Sequence, residues 1–172
     1  MPHLLRPIEP LDLAQILTLN NAAVPAVNDL DTASLAALVA TAAHTAVITT
    51  DAAPHVVLGF VIAFAPNADY ASENYRWFSA RSGSFLYVDR IVVAPESRSQ
   101  KLGALLYDSV FDAARKSAVA EVFCEVNTSP PNPRSLVFHS RLGFAEIGQQ
   151  TTKNDTVVVA LLSASITAAT SS

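Results

Sequence analysis

The chain has one cysteine, Cys124, and that alone excludes an internal disulfide framework or a multi-thiolate zinc site. Charge is also scarce: Asp, Glu, Lys and Arg make up 15% of the residues, against a usual share of about 25%. The 11 Lys and Arg are scattered, and the net charge is −4 with a pI near 5.4. A partner held through a phosphate backbone needs clustered cations, so no nucleic acid is expected. Four separated histidines, His3, His44, His55 and His139, give no HxxxH or HExxH spacing, so no metal is expected. Long clean apolar runs are missing too. The best stretch, AVITTDAAPHVVLGFVIAFA, is broken by Asp51, Pro54 and His55, well short of the ~20 residues that cross a bilayer. MPHLLRPIEP has neither the basic nor the apolar region of a secretory signal. A soluble, cytoplasmic protein without a membrane partner is the expectation.

Apolar residues, by contrast, are plentiful. They make up 51% of the 172 residues, with a mean hydropathy of +0.32, enough for one compact domain with a real core. We place that domain at 1–163 and expect the Ala/Ser/Thr tail at 164–172 to be disordered. LLRPIE reads as a short strand. Leu11, Leu13, Ile16, Leu17 and Leu19 recur at helical spacing from Pro10 to about Asn20. A second helix fits Asp31 to Thr45, with Asp31 or Thr32 as cap. Strands follow at 45–50 and 56–65. Residues 66–84 carry no period and read as a long loop, a length that is often functional. FLYVDRIVV (85–93) is a buried strand, and 102–117 repeats apolar residues as one helix face. Residues 120–127 form a strand, Pro133 can open a short helix that Gly143 closes, and 157–162 is a last strand. Helices alternating with strands in the second half predict an α/β fold, with a central mixed sheet flanked by helices.

The most informative segment is VVAPESRSQKLGALL (92–106), where a buried strand passes through a polar loop straight into a helix. The unpaired amides of such a helix start, with its dipole, favour an anion, and Gly103 allows close approach of a phosphate group to the backbone. Arg98 and Lys101 add positive charge. Such a joint is also an ordinary packing feature. Together with NxxSxxFHxxLGF (Asn132, Ser135, Phe138, His139, Leu142, Gly143, Phe144), placed one strand further on, this segment resembles the GNAT superfamily of N-acetyltransferases. The resemblance spans nearly the whole chain. The family's [R/Q]-x-x-G-x-[G/A] motif falls on Arg98 to Gly103, with Lys101 where the first glycine is expected. Backbone amides can still serve there, and the lysine can add charge for a CoA phosphate or simply face solvent.

The resemblance implies a single-domain GNAT-like fold and an acetyl-CoA-dependent N-acetyltransferase. In such an enzyme an amine attacks the thioester directly, with no acyl-enzyme and no metal. It assigns acetyl-CoA, as co-substrate, to Ile91, Val92, Val93, Arg98, Ser99, Gln100, Lys101, Leu102, Gly103 and Ala104. Asn132 and Ser135 would hold the pantetheine arm, Asn132 being equally suited to cap the helix at Pro133. Cys124, beside Val122 and Phe123, is expected to be a buried thiol rather than a nucleophile.

The reaction needs a base, because an alkylammonium must lose a proton before it can attack. Asp89 and Glu125 interrupt apolar strands, where a carboxylate is costly unless paired. Strand parity sets Tyr87, Asp89 and Ile91 on one face, and Phe123, Glu125 and Asn127 on one face of another strand. Each carboxylate can be catalytic or substrate-binding, with Glu125 ranked first, or can form a structural ion pair with Arg90 on the neighbouring strand. His139 stands where family members commonly carry a tyrosine, so an imidazolium there could protonate the departing thiolate; it can equally line the helix face. For the acceptor, a small-molecule or peptide amine, Tyr87, Asn127 and Trp77 are the candidate contacts. Tyr70, Tyr75, Trp77 and Phe78 can form an aromatic wall, cover a sheet edge or bury a homodimer contact. Two other readings stay open: a non-catalytic CoA-binding or sensing module, and a transferase of another acyl group.

Overall fold

The computed structural model describes residues 2–167. Seven strands form one mixed sheet in the order β1-β2-β3-β4-β5-β7-β6. They are β1 (His3–Arg6), β2 (His44–Thr50), β3 (Gly59–Phe64), β4 (Phe85–Val93), β5 (Glu121–Ser129), β6 (Ala145–Thr152) and β7 (Val157–Ser165). The helices are α1 (Leu13–Ala22), α2 (Thr32–Thr41), α3 (Glu73–Ser79), α4 (Leu102–Lys116) and α5 (Pro133–Arg141). The β1-β2 and β2-β3 pairs are antiparallel, β4-β5 is parallel, and β7 runs antiparallel to both β5 and β6. This is the mixed, helix-flanked α/β sheet that the sequence predicts.

The chain packs as two compact units, one of 2–64 with 88–110, the other of 65–87 with 111–167. In the first, β3 is buried along its whole length, and Ile16, Leu35, Leu102, Leu106 and Val110 contribute fully buried side chains. This is the helical periodicity of α1, α2 and α4 converted into apolar burial. Arg6 holds the start of α1 through two hydrogen bonds to Asp12, at 2.7 and 2.9 Å. The Asp31 side chain caps α2 by accepting from the Ser34 amide. That helix ends at Thr41, short of Thr45, because Ala42 is already extended.

In the second unit the expectation of a loop at 66–84 fails. Ser72 caps α3, accepting from the Tyr75 amide, and Tyr75 and Phe78 enter the core. Phe78 stacks on Phe123 at 4.4 Å between centroids, and Tyr75 meets Phe85 edge-on. The helix is too short to show a period, which is why its signal was the cap alone. The strand β6 was not expected either, since AEIGQQTT is a mostly exposed edge strand with no apolar alternation. Ala164 and Ser165, expected in the disordered tail, belong to β7, opposite Val122 and Glu121, and the last residues of that expectation, 168–172, lie outside the described residues. Gly143 closes α5 at φ +96°, a left-handed geometry that favours glycine.

Candidate active site

The first unit carries the segment expected to meet acetyl-CoA. Ile91 and Val93 are half-buried at the end of β4 and Val92 is buried between them. A tight helical turn over Pro95–Gln100 leads on, with Arg98, Ser99, Gln100 and Lys101 exposed. Gln100 meets the His3 ring at 3.1 Å. Lys101 then adopts φ 59°, ψ 27°, the left-handed conformation that glycine takes most easily. The chain therefore keeps the backbone geometry of a glycine turn while carrying a lysine in it. Leu102 anchors α4 in the core, and Gly103 and Ala104 stay half-buried in its first turn. First-turn amides have no acceptor within their own helix. Three such amides beside two exposed cations, Arg98 and Lys101, make a donor set that suits a pyrophosphate.

Asp89 and Arg90, also in this unit, form a buried ion pair at 2.7 Å, with side chains 5% and 3% exposed. The Arg90 guanidinium further donates to the Asn20 and Asn28 side-chain oxygens, both at 2.9 Å. Asn20 in turn donates to the Asn28 carbonyl, and Asn21 exchanges hydrogen bonds with the Leu30 backbone. The structure thus gives Asp89 a structural partner on its own strand and ties the α1–α2 connection to β4. Asn20 and Asn28 were not singled out from sequence. A pair of asparagines ending an apolar helix face, with Asn20 fully buried, was the available signal.

The second unit holds the other candidates. Tyr87 pairs opposite Phe123 in the parallel ladder, which sets Glu125 diagonally across on the same face. The Tyr87 hydroxyl donates to the Glu125 carboxylate, 2.8 Å from Oε1 and 2.7 Å from Oε2. Tyr87 itself is fully buried while Glu125 is half-exposed. Tyr87, expected to contact the acceptor, instead has its ring packed in the core against Tyr75 and Phe78, each 5.6 Å away between centroids. Asn127 follows Glu125 on the same face, half-buried, where the β5-β7 register shifts.

Trp77 is likewise drawn into structure. Its ring covers Gly148 of β6, where an added Cβ would come within 2.6 Å of it, and the Arg81 guanidinium sits 3.9 Å from its centroid. The Tyr75 hydroxyl is engaged by Ala65 and Ala68. The aromatic run at 70–78 thus fills the core and covers the sheet edge. Cys124 is a buried thiol in no disulfide.

Asn132 caps α5, its side chain accepting from the Ser135 amide. His139 is buried at 5% exposure, between the edges of Phe138 and Phe144. Its Nδ1 lies 2.7 Å from the Ser135 carbonyl, which can only accept, so Nδ1 carries the proton and donates it there. Ser135 Oγ is 3.3 Å from the same nitrogen. Burial lowers the His139 pKa, outweighing the opposing effect of the Ser135 hydrogen bond. Burial thus favours the neutral imidazole over the imidazolium expected as an acid there. Among the described residues no group of three His, Cys, Asp or Glu could hold a metal, and no helix is long and apolar enough to cross a membrane.

No curated protein matches the chain in sequence. Solved structures match its fold over nearly its full length. Ard1 from Thermoplasma volcanium superposes with a TM-score of 0.79 at 15% identity, covering 97% of this chain and 99% of that one. The ribosomal-protein-S18-alanine N-acetyltransferase from Escherichia coli gives 0.72 at 17% identity, with coverage of 98% and 96%. The protein yncA from Salmonella typhimurium, solved with its cofactor acetyl-CoA, gives 0.71 at 18% identity, with coverage of 100% and 98%. The family model described as acetyltransferase (GNAT) family matches residues 19–144, well over half of the sequence. The chain belongs to the GNAT acetyltransferase family.

Proposed function

We propose that this protein moves the acetyl group of acetyl-CoA to a primary amine of a small molecule or peptide, with Glu125 taking the proton the amine gives up. The observation that carries the reading is the turn at 98–104, with its left-handed Lys101, exposed Arg98 and helix-start amides. These groups are suited to the CoA pyrophosphate, and the backbone of Ile91, Val92 and Val93 to the pantetheine arm, as the family implies. Asn132 and Ser135 would add side-chain contacts to the pantetheine arm beside the helix-capping bond that Asn132 makes to the Ser135 amide.

Between the two carboxylates, chemistry favours Glu125. Protonating Asp89 would strand the buried Arg90 charge, a penalty of several kcal/mol. Glu125 is held by a neutral phenol and is half-exposed, so it can take up and release a proton. The amine, once deprotonated by Glu125 directly or through water, forms a bond to the thioester carbonyl carbon and the carbon–sulfur bond breaks. The sulfur leaves as thiolate and gains a proton from solvent, while the nitrogen releases its second proton to solvent as it becomes the amide. A thiol with a pKa of about 8.5 is an acceptable leaving group without a dedicated acid, consistent with the neutral His139.

The test is CoA thiol release from acetyl-CoA with a panel of alkylamines, amino acids, polyamines and short peptides, beside melting curves with acetyl-CoA. Stabilisation with acceptor-dependent thiol release is expected. The substitution of lysine at 101 and the neutral His139 favour a second reading, a CoA-binding module without turnover; stabilisation without release for any acceptor would select it. Release only with a different acyl-CoA would select a transferase of another group.

A further inference from the structure

The proton-cycling carboxylate proposed above has a partner that the acetyl-transfer assignment does not call for. We propose that Tyr87 is a positioning residue that holds Glu125 in its working geometry in both of its protonation states, and that α3 sets the position of Tyr87. This rests on the reading of Glu125 as the base.

A base that alternates between carboxylate and carboxylic acid changes from acceptor to donor during each turnover. A guanidinium, ammonium or amide N–H partner can donate to the carboxylate or to the acid's carbonyl oxygen, but it cannot accept the acid's hydroxyl proton. A phenol serves both: it donates to the carboxylate and offers a lone pair to the acid. Tyr87 lies within hydrogen-bond distance of both Glu125 oxygens, at 2.8 and 2.7 Å, so either oxygen can hold the proton without the pair separating. The phenol is also fixed. Its ring is fully buried, set between Tyr75 and Phe78 of α3, and Phe78 is stacked on Phe123, the residue opposite Tyr87 in the ladder. Tyr75 uses its own hydroxyl on Ala65 and Ala68, which locks α3 to the segment before it. The aromatic run that resembled an acceptor wall thus supports the carboxylate from behind. Asp89 shows the contrast, with a guanidinium partner whose charge favours the ionised form and which cannot accept from the acid.

The experiment is a double-mutant cycle in kcat, using acetyl-CoA and the fastest acceptor of the panel. Tyr87→Phe keeps the ring and removes only the hydroxyl. It should lower kcat about tenfold, the loss of one hydrogen bond to a charged group, and leave the KM for acetyl-CoA within about twofold. Added to Glu125→Gln it should cause no further loss, because it acts only through the carboxylate. An unchanged kcat for Tyr87→Phe, with Glu125→Gln impaired, overturns this inference and leaves the base assignment standing. Losses that multiply in the double variant also overturn it, since they mark an effect independent of Glu125. A fully active Glu125→Gln overturns both. Should Tyr87→Phe not fold, Phe78→Leu, alone and added to Glu125→Gln, carries the test by loosening the seat of the Tyr87 ring on α3 without touching the carboxylate. A similar loss of kcat at constant KM is expected, and full activity refutes the role.

Discussion

Arg90→Met tests the buried ion-pair network of the first unit. Both side chains of the Asp89–Arg90 pair are almost wholly shielded, 5% and 3% exposed, so solvent cannot compensate for the loss of one partner. Removing the cation leaves a buried carboxylate unpaired, which costs about 3–5 kcal/mol. It also frees the Asn20 and Asn28 oxygens that now accept from Arg90 at 2.9 Å. For a chain of this size 1 kcal/mol corresponds to about 2–4 °C, so the melting temperature should fall by about 6–20 °C. Asp89→Asn with Arg90→Met removes both charges and should recover much of that loss, because the penalty belongs to the stranded charge rather than to the missing pair. Melting curves at neutral pH and low salt decide it. A single variant within about 2 °C of wild type, or a double variant no better than the single, would refute the argument that the pair is a buried structural unit.

Gly103→Val places a branched side chain in the first turn of α4 and should raise the KM for acetyl-CoA at least tenfold, about 1.4 kcal/mol, with an intact fold; steady-state kinetics and a circular-dichroism melt check both parts. Gly148→Ala puts a Cβ within 2.6 Å of the Trp77 ring, so the ring must move, destabilising the protein by about 1–3 kcal/mol and changing the emission of its single tryptophan. The pKa of His139 is lowered in the folded state, so the unfolded chain takes up the proton first as pH falls. The stability owed to the neutral ring is thus present above about pH 6.5 and lost below it. The melting-temperature advantage of wild type over His139→Gln should shrink between pH 7 and pH 5, and an advantage that grows there would contradict the assignment.

The strong periodicities and the special turns were the legible parts. β4 was read with the bounds it has, and α4 to within one residue, because a buried apolar run and a clean helical stripe report burial directly. The motif positions 98–104 were found as a turn, yet that Lys101 itself holds the left-handed geometry follows only from the backbone. The missed elements share a cause. In α3 seven residues are too few for a period, and in β6 an exposed edge strand has no apolar side to alternate. At the candidate site, parity correctly grouped Tyr87 with its strand face and Glu125 with its own, but which strands pair and in what register are long-range facts. Without the Tyr87–Phe123 register the 2.7 Å contact between phenol and carboxylate is invisible in the sequence. The burial of His139 and its Ser135 acceptor, which bear on its charge in opposite directions, are likewise not legible from its residue type.

The most direct test of the central claim is the rate of CoA release from acetyl-CoA by Glu125→Gln against wild type at pH 7, with the best acceptor of the panel. Loss of a general base removes about 10²–10⁴ in rate, so kcat should fall in that range while the KM for acetyl-CoA stays close to wild type. Acceptor-dependent release by wild type that persists undiminished in Glu125→Gln would contradict the account.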